Sequence, residues 1–328
     1  GRRLRADGDL MGGLSGVLAT ARARGTVWGY RAGWSAVRRM PERAAYRVFD
    51  TVADASVRRG GKGLARMRAN YAKVRPELDD AALDALVREG MRSYTRYFCE
   101  AFRLPDCTHD DLDRMCRAVN DAAVRANLDA GRSAVIFVPH MGNWDIAGAW
   151  STGHLAPVTT VAERLEPEEV FREFFEFRES LGMTILPLTG GPNPFNGLRE
   201  AVDRGDFVAL VSDRDLTSNG VEVDFFGHRA RMAKGPALLA LLTGAPLYAA
   251  SIHFAPAAPG RGAAGRETVV TFSNEIPVPT EGDTAAKAQA MTQACAAYVE
   301  GPIREHTSDW HMMQRVFVDD LDPTRLGR

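Results

Sequence analysis

The sequence predicts an α/β protein: an α/β/α sandwich with a central, mostly parallel sheet, preceded by an N-terminal helical segment. Three observations carry this. From residue 133 onward, apolar runs of strand length alternate with longer stretches of helical period, the pattern of a parallel sheet covered by helices on both faces. Before that, residues 26–104 repeat apolar positions at three- and four-residue spacing. Third, polar residues end several of the apolar runs, where sites of open α/β sheets lie.

Each element follows from local chemistry. Residues 1–25 have the character of a leader or an expression remnant and are expected to be poorly structured. In the helical part, RRGGKG (58–63) breaks the run, and Pro105 ends it. Residues 109–130 read as one helix stopped by Gly131. SAVIFVP (133–139) is a short buried strand, and GNWDIAGAWST opens a helix with Asn143 as its cap. VTTVAE (158–163), MTILPL (183–188) and FVALVSD (207–213) are further strands. An amphipathic helix, PEEVFREFFEFRESLG, ends at Gly182, and NPFNGLREAVDRG is another. GVEVDFFG is a strand or loop, AKGPALLALLTG a helix, PLYAASIHF and ETVVTFSN strands, and residues 283–306 a last long helix. AAPGRGAAGR (257–266) is expected to be a mobile hairpin loop.

The bulk chemistry narrows the function classes. Net charge is −1, so no overall field points to nucleic acid. The charge is unevenly spread: residues 1–75 hold 17 Lys and Arg against five Asp and Glu. That basic end suits an anionic surface or a solvated helical face. The four cysteines form neither a CxxC pair nor a zinc spacing, which predicts reduced thiols. The least polar stretch, 235–255, lacks Lys, Arg, Asp and Glu, but Gly244 and Pro246 interrupt it. Helix, turn and buried strand are predicted there instead of a membrane span.

The chemistry centres on AVIFVPHMGNWDIAGAW (134–150). His140 follows a strand and Asp145 falls in the first turn of the next helix. Such a pair can hydrogen-bond, the carboxylate fixing the imidazole tautomer while the other ring nitrogen removes a proton from an alcohol. The spacing alone is weak; the strand before, Gly142 within the turn and the helix after strengthen it. One His and one Asp are too few for a catalytic zinc, and no HExxH is present, so no metal is expected. No GxSxG marks a serine hydrolase. GGPNPFNG (190–197) lacks the Lys-Ser/Thr of a nucleotide-binding loop. Glu163 and Asp213 end two further strands, so three polar strand ends converge. His109, His154, His228, His253 and His311 have no comparable setting and read as surface or satisfied core histidines.

HMGNWD resembles the His-x4-Asp signature of glycerolipid-type acyltransferases. More narrowly, the chain resembles the bacterial lipid A acyltransferase superfamily and its actinobacterial branch, the phosphatidylinositol mannoside acyltransferases. The likeness runs through YRAGWSAVRRMPE, SYTRYFCEAFRLP, TTVAERLEPE, FRESLGMTILPL, SDRDLTSNGVEVDFFG and DWHMMQRVF. At position 213 the mannoside branch favours Glu, and this chain carries the shorter Asp213.

The resemblance implies transfer of a long, palmitoyl-like chain from acyl-CoA to a mannose hydroxyl of phosphatidylinositol mannoside, with no cofactor. His140 would be the base and Asp145 its orienting acid. It also implies a peripheral protein of the cytoplasmic face of the plasma membrane. Residues 26–328 would then form one acyltransferase domain, with a helical, membrane-facing part (26–105) and an α/β catalytic core (106–328). Glu163, Arg178 and Asp213 match further site positions, binding substrate or supporting the site. Read without the family, Glu163 either serves the site or caps a turn, and Arg178 is either a solvated helix arginine or a partner of an acidic site residue or an anionic substrate group. Of Asp213 and Asp215, one is expected to serve the site and the other to be structural. Phe171, Phe174, Phe175 and Phe177 line an acyl groove or pack the core. Trp28, Tyr30 and Trp34, interleaved with Arg31, Arg38 and Arg39, suit an anionic leaflet.

Overall fold

The computed structural model describes residues 33, 35–162, 168–188, 193–215 and 219–321. The expectations for residues 1–25, Trp28, Tyr30, Arg31, Trp34 and Glu163, and for the side chains of Phe171 and Phe174, lie outside the described residues.

After a helical stretch at 35–39 come α1 (Glu42–Arg59), α2 (Lys62–Val74) and α3 (Asp80–Arg103). Gly60 and Gly61, at φ +72° and +142°, make the break between α1 and α2, where the glycine-rich run predicted it. Asp79 caps α3, its side chain accepting the Ala82 amide at 2.8 Å. Pro105 falls in the turn that follows α3.

A seven-stranded sheet then forms from β1 (Cys116–Val119), β2 (Ala134–Val138), β3 (Val158–Ala162), β4 (Thr184–Pro187), β5 (Phe207–Val211), β8 (Leu247–Pro256) and β9 (Arg266–Phe272). Its order is β1-β9-β8-β2-β5-β3-β4. Every pairing is parallel except β8 with β9. β6 (Val221–Phe225) and β7 (His228–Met232) form a separate antiparallel hairpin, turned at Phe226 and Gly227 with both φ positive. The α/β sandwich with a mostly parallel sheet is therefore the fold the alternation predicted.

The sheet divides the core because side chains alternate along a strand. Val135 and Phe137 of β2 point into one apolar cluster. It is shared with α3, α8 (Pro194–Arg204), α9 (Gly235–Thr243) and α10 (Thr284–Glu305). Ala134, Ile136 and Val138 point into the other, which α6 (Trp144–His154) covers with Ile146, Ala149 and Trp150. All five residues of β2 are buried, the mark of a strand covered on both faces. Gly244, at φ +75°, ends α9 before β8 begins, so the apolar 235–255 stretch is helix, turn and strand. No helix among the described residues is long and apolar enough to cross a membrane.

One reading is corrected. Residues 109–130 are not a single helix but α4 (His109–Met115), strand β1 and α5 (Ala122–Asp129). β1 pairs in parallel with β9, Cys116 opposite Thr268, and Asn120 turns the chain at φ +58°. Backbone pairing at the sheet edge, invisible in the local sequence, overrides helical period here. The 257–266 loop is the hairpin between β8 and β9, closed by the Ala257 amide on Gly265 O at 3.0 Å and paired bonds between Ala263 and Arg266.

Candidate active site

The register of the central strands assembles the site. Val138 of β2 pairs with Val211 of β5, and the Ser212 amide continues the ladder to Val138 O at 2.9 Å. His140 and Asp213 lie two residues beyond those partners and so emerge side by side at the carboxyl ends of adjacent strands. His140 Nδ1 is 2.5 Å from Asp213 Oδ1, and the His140 amide donates to Oδ2 at 3.0 Å. The Trp310 indole Nε1–H donates to the same Oδ2 at 2.8 Å.

Asp213 is fully buried, whereas the His140 side chain keeps 26% of its surface. Burial pushes the Asp213 pKa up, but the neighbouring imidazole and the three N–H donors outweigh it and hold the carboxyl below its ordinary range. An ionised carboxylate only accepts. Nδ1 therefore carries the proton toward Asp213, and Nε2 is the nitrogen left as a base.

The expected pairing of His140 with Asp145 is not the one formed. Asp145 is buried in the first turn of α6, where the Tyr97 hydroxyl donates to its Oδ2 at 2.6 Å. Arg178, on α7 (Glu168–Ser180), donates from Nε to Oδ1 at 2.7 Å. Asp145 thus ties α6 to α3 and α7, while Asp213 orients the imidazole. Arg178 is no solvated helix arginine: its side chain is 19% exposed. Burial lowers its pKa, but the Asp145 charge, Tyr97 and the hydrogen bonds to both together outweigh it, to a net increase. Burial and the Asp145 charge also push Tyr97 well above the ordinary phenol range.

The turn between β2 and α6 is locked from several sides. Asn143 Oδ1 caps α6 through the Ile146 amide at 3.0 Å, and its Nδ2 donates to buried Glu100 at 2.9 Å. Glu100 also accepts the Tyr46 hydroxyl at 3.0 Å and pairs with Arg96 at 2.8 Å. Gly142 sits at φ +61°, and a Cβ there would lie 2.4 Å from Ile252 O. Its amide donates to Asp309 O at 2.9 Å, and the His311 amide donates to His140 O at 2.8 Å. Residues 309–311 therefore strap the turn, with Met141 bridged to Trp310.

Two of the other histidines have informative settings. His311 is a core residue, its Nε2 2.9 Å from Ser93 Oγ, its ring against Tyr94, Tyr97 and Trp144. His253, half-buried, stacks on His306 at 3.8 Å. Phe177 is buried in the same apolar cluster as Met183 and Ile185, a core role. Among the described residues no group of three or more His, Cys, Asp or Glu is arranged to hold a metal. The cysteines are free, and burial pushes the Cys99 thiol up to about 12 and Cys107 up to about 11. Neither supplies a thiolate nucleophile near neutrality.

Tyr97, Trp310, Glu100 and Ser93 escaped sequence reasoning. Their segments, SYTRYFCEAF and DWHMMQRVF, stood out only through the family resemblance. Nothing local tells which remote aromatic or acid folds against His140.

Fold and site together define a class: an α/β protein with a part-exposed histidine at the carboxyl end of the central strand, held by a buried carboxylate from the next strand. Comparison with known proteins makes it specific. The model of the bacterial lipid A biosynthesis acyltransferase family matches residues 17–318. A phosphatidylinositol mannoside acyltransferase of Mycolicibacterium smegmatis is 41% identical over 304 residues, 92% of this chain and 95% of that protein. One of Mycobacterium tuberculosis is 39% identical over 328 residues, 97% and 99% of the two chains. The chain belongs to the bacterial lipid A biosynthesis acyltransferase family.

Proposed function

We propose that this protein transfers a long-chain, palmitoyl-like acyl group from acyl-CoA to a mannose hydroxyl of phosphatidylinositol mannoside. The observation that carries the mechanism is the buried Asp213 holding His140 by Nδ1, which leaves Nε2 as the base. Nε2 takes the hydroxyl proton as the sugar oxygen attacks the thioester carbonyl. The C–S bond then breaks, and the departing thiolate receives the proton from the imidazolium. The thioester is already activated, so neither an acyl-enzyme nor a metal enters. The mycobacterial relatives' names support the acceptor. Arg178 and Asp145 support the site by fixing α6, and Glu163 is proposed to line it.

His140→Ala is expected to abolish transfer while leaving the circular dichroism spectrum and unfolding midpoint close to wild type. Near-normal turnover in that variant would refute the assignment. Parallel assays with palmitoyl-CoA and a palmitoyl-carrier protein, each against phosphatidylinositol mannoside and other lipid acceptors, test donor and acceptor.

The same reading places the protein on the cytoplasmic face of the plasma membrane as a peripheral protein. The outward face of α1 supports it. Val48 and Val52 are exposed at 42% and 49%, one turn apart, on a helix that also exposes Arg43, Arg47, Arg58 and Arg59 along with Glu42 and Asp50. Exposed valines on a helix with more arginine than acid suit an anionic leaflet. Arg38 is engaged otherwise, donating from Nε to Asp106 at 2.7 Å. Flotation with vesicles rich in anionic lipid checks this: a Val48→Asp/Val52→Asp/Arg47→Glu variant should stay in the soluble fraction. Undiminished flotation would remove α1 as the docking face.

A further inference from the structure

We infer that Trp310 is a positioning residue of the His140 base, acting through Asp213; this rests on the general-base reading above. The geometry is specific. Asp213 Oδ2 accepts two N–H donors, the Trp310 indole at 2.8 Å and the His140 amide at 3.0 Å. Oδ1 is left to the imidazole. The two donors fix the plane of the carboxylate and decide which oxygen meets Nδ1.

Trp310 is suited to this by its chemistry. The indole N–H is a donor with no acceptor capacity and no titration near neutrality, so it cannot compete for the proton that His140 carries. It is fully buried, and no water can take over its hydrogen bond.

Its placement is over-determined. The Trp310 carbonyl accepts the Tyr71 hydroxyl at 2.9 Å. Its ring packs edge-on against Phe225, centroids 6.0 Å apart. Asp309, one residue earlier, is held by the Ser93 hydroxyl at 2.7 Å and the Phe254 amide at 2.8 Å. The short pairing of 309–311 against 140–142 delivers the indole to Asp213 as it fixes the histidine turn. A residue needed only to fill the core would not have to aim its one polar atom at the acid behind the base.

The test separates the N–H from the ring. Trp310 is replaced by β-(3-benzothienyl)alanine, which keeps the bicycle and puts sulfur where the N–H was, and separately by phenylalanine. The isostere is expected to lower kcat by about tenfold to a hundredfold, the scale of one lost hydrogen bond to a charged group. KM for donor and acceptor should stay within about twofold, because the indole touches neither. The acid limb of the kcat profile should move to higher pH, since a carboxylate with one donor fewer holds the imidazole proton more firmly. The same replacement at Trp150, which stacks on His154, should leave kcat unchanged.

Wild-type kcat and an unmoved pH profile in the isostere would overturn the inference and leave Trp310 a packing residue, even where Trp310→Phe fails to fold. His140→Ala is measured alongside. If it keeps turnover, the base assignment itself has failed; if it is inactive while the isostere is wild type, only the role of Trp310 falls.

Discussion

The imidazole of His140 has two acids within its turn and the adjoining strand, and only coordinates distinguish them. Asp145 is the one the sequence spacing offers, because the first turn of a helix is next to the strand end that precedes it. Asp213 is the one that binds Nδ1, because parallel register places β5 beside β2 and levels their ends. Sequence could show that both are acids near strand ends; it could not show which strands are neighbours. Asp213 also explains a substitution prediction. Oδ2 receives two N–H donors, so in Asp213→Asn the amide oxygen must take that place and the NH2 must face Nδ1. His140 Nδ1 would then accept, moving the ring proton to Nε2 and removing the base. kcat is expected to fall about 10²- to 10⁴-fold with the fold intact. Imidazole nitrogen shifts in the NMR spectrum would report the tautomer; an unchanged tautomer with normal turnover would exclude this role for Asp213.

The turn between β2 and α6 shows what one glycine contributes to an element. Gly142→Ala meets two penalties: a left-handed backbone, about 1–2 kcal/mol for an L residue, and a Cβ against Ile252 O and its side chain. Gly131 has φ +70° but open space around it. Gly131→Ala should therefore cost only the conformational part and leave kcat alone. Gly142→Ala should unfold at clearly lower denaturant and lose most of its activity. Equal denaturation midpoints for the two would mean that the turn can yield. The strong elements, β2, β5, α6 and α10, were legible because apolar period and end signals agree there. β1 was hidden inside a helical pattern, and β7 (HRARM) has too little apolar character to announce itself; its partner β6 was read as strand or loop. Both are held by pairing with distant segments, which a local pattern does not record.

For the molecule as a whole, two histidines, His311 buried and His253 half-buried, tie stability to pH. Burial, then the neighbouring His140, lowers His311 to about 3; burial, then His306 and Arg117, lowers His253 to about 4. Unfolded, both would titrate near the ordinary 6.5. Below that pH the unfolded chain binds protons that the native one refuses, so stability falls as the solution is acidified from about 6.5 toward 4. Each histidine contributes a slope of up to about 1.4 kcal/mol per pH unit. Burial raises the Asp309 pKa, which acts in the opposite sense but equally in wild type and variants. Urea midpoints from pH 4 to 8 should show the decline, and His253→Gln/His311→Gln should flatten it; parallel curves would show that these rings are not its source. At this scale the sequence was most informative, since an alternating α/β pattern implies the sheet and its carboxyl-end site. It was silent about closure, because the side chains that complete the site come from α3 and from residues 309–311.

That last contribution has a consequence for the order of assembly. The stretch that clamps the histidine turn is made about 170 residues after it, downstream of the final long helix. A ribosome-bound chain can have its whole sheet in place while the turn that carries His140 is still unclamped. On the proposed mechanism, reactivity then waits until residues 309–311 have been made and have folded back onto the turn.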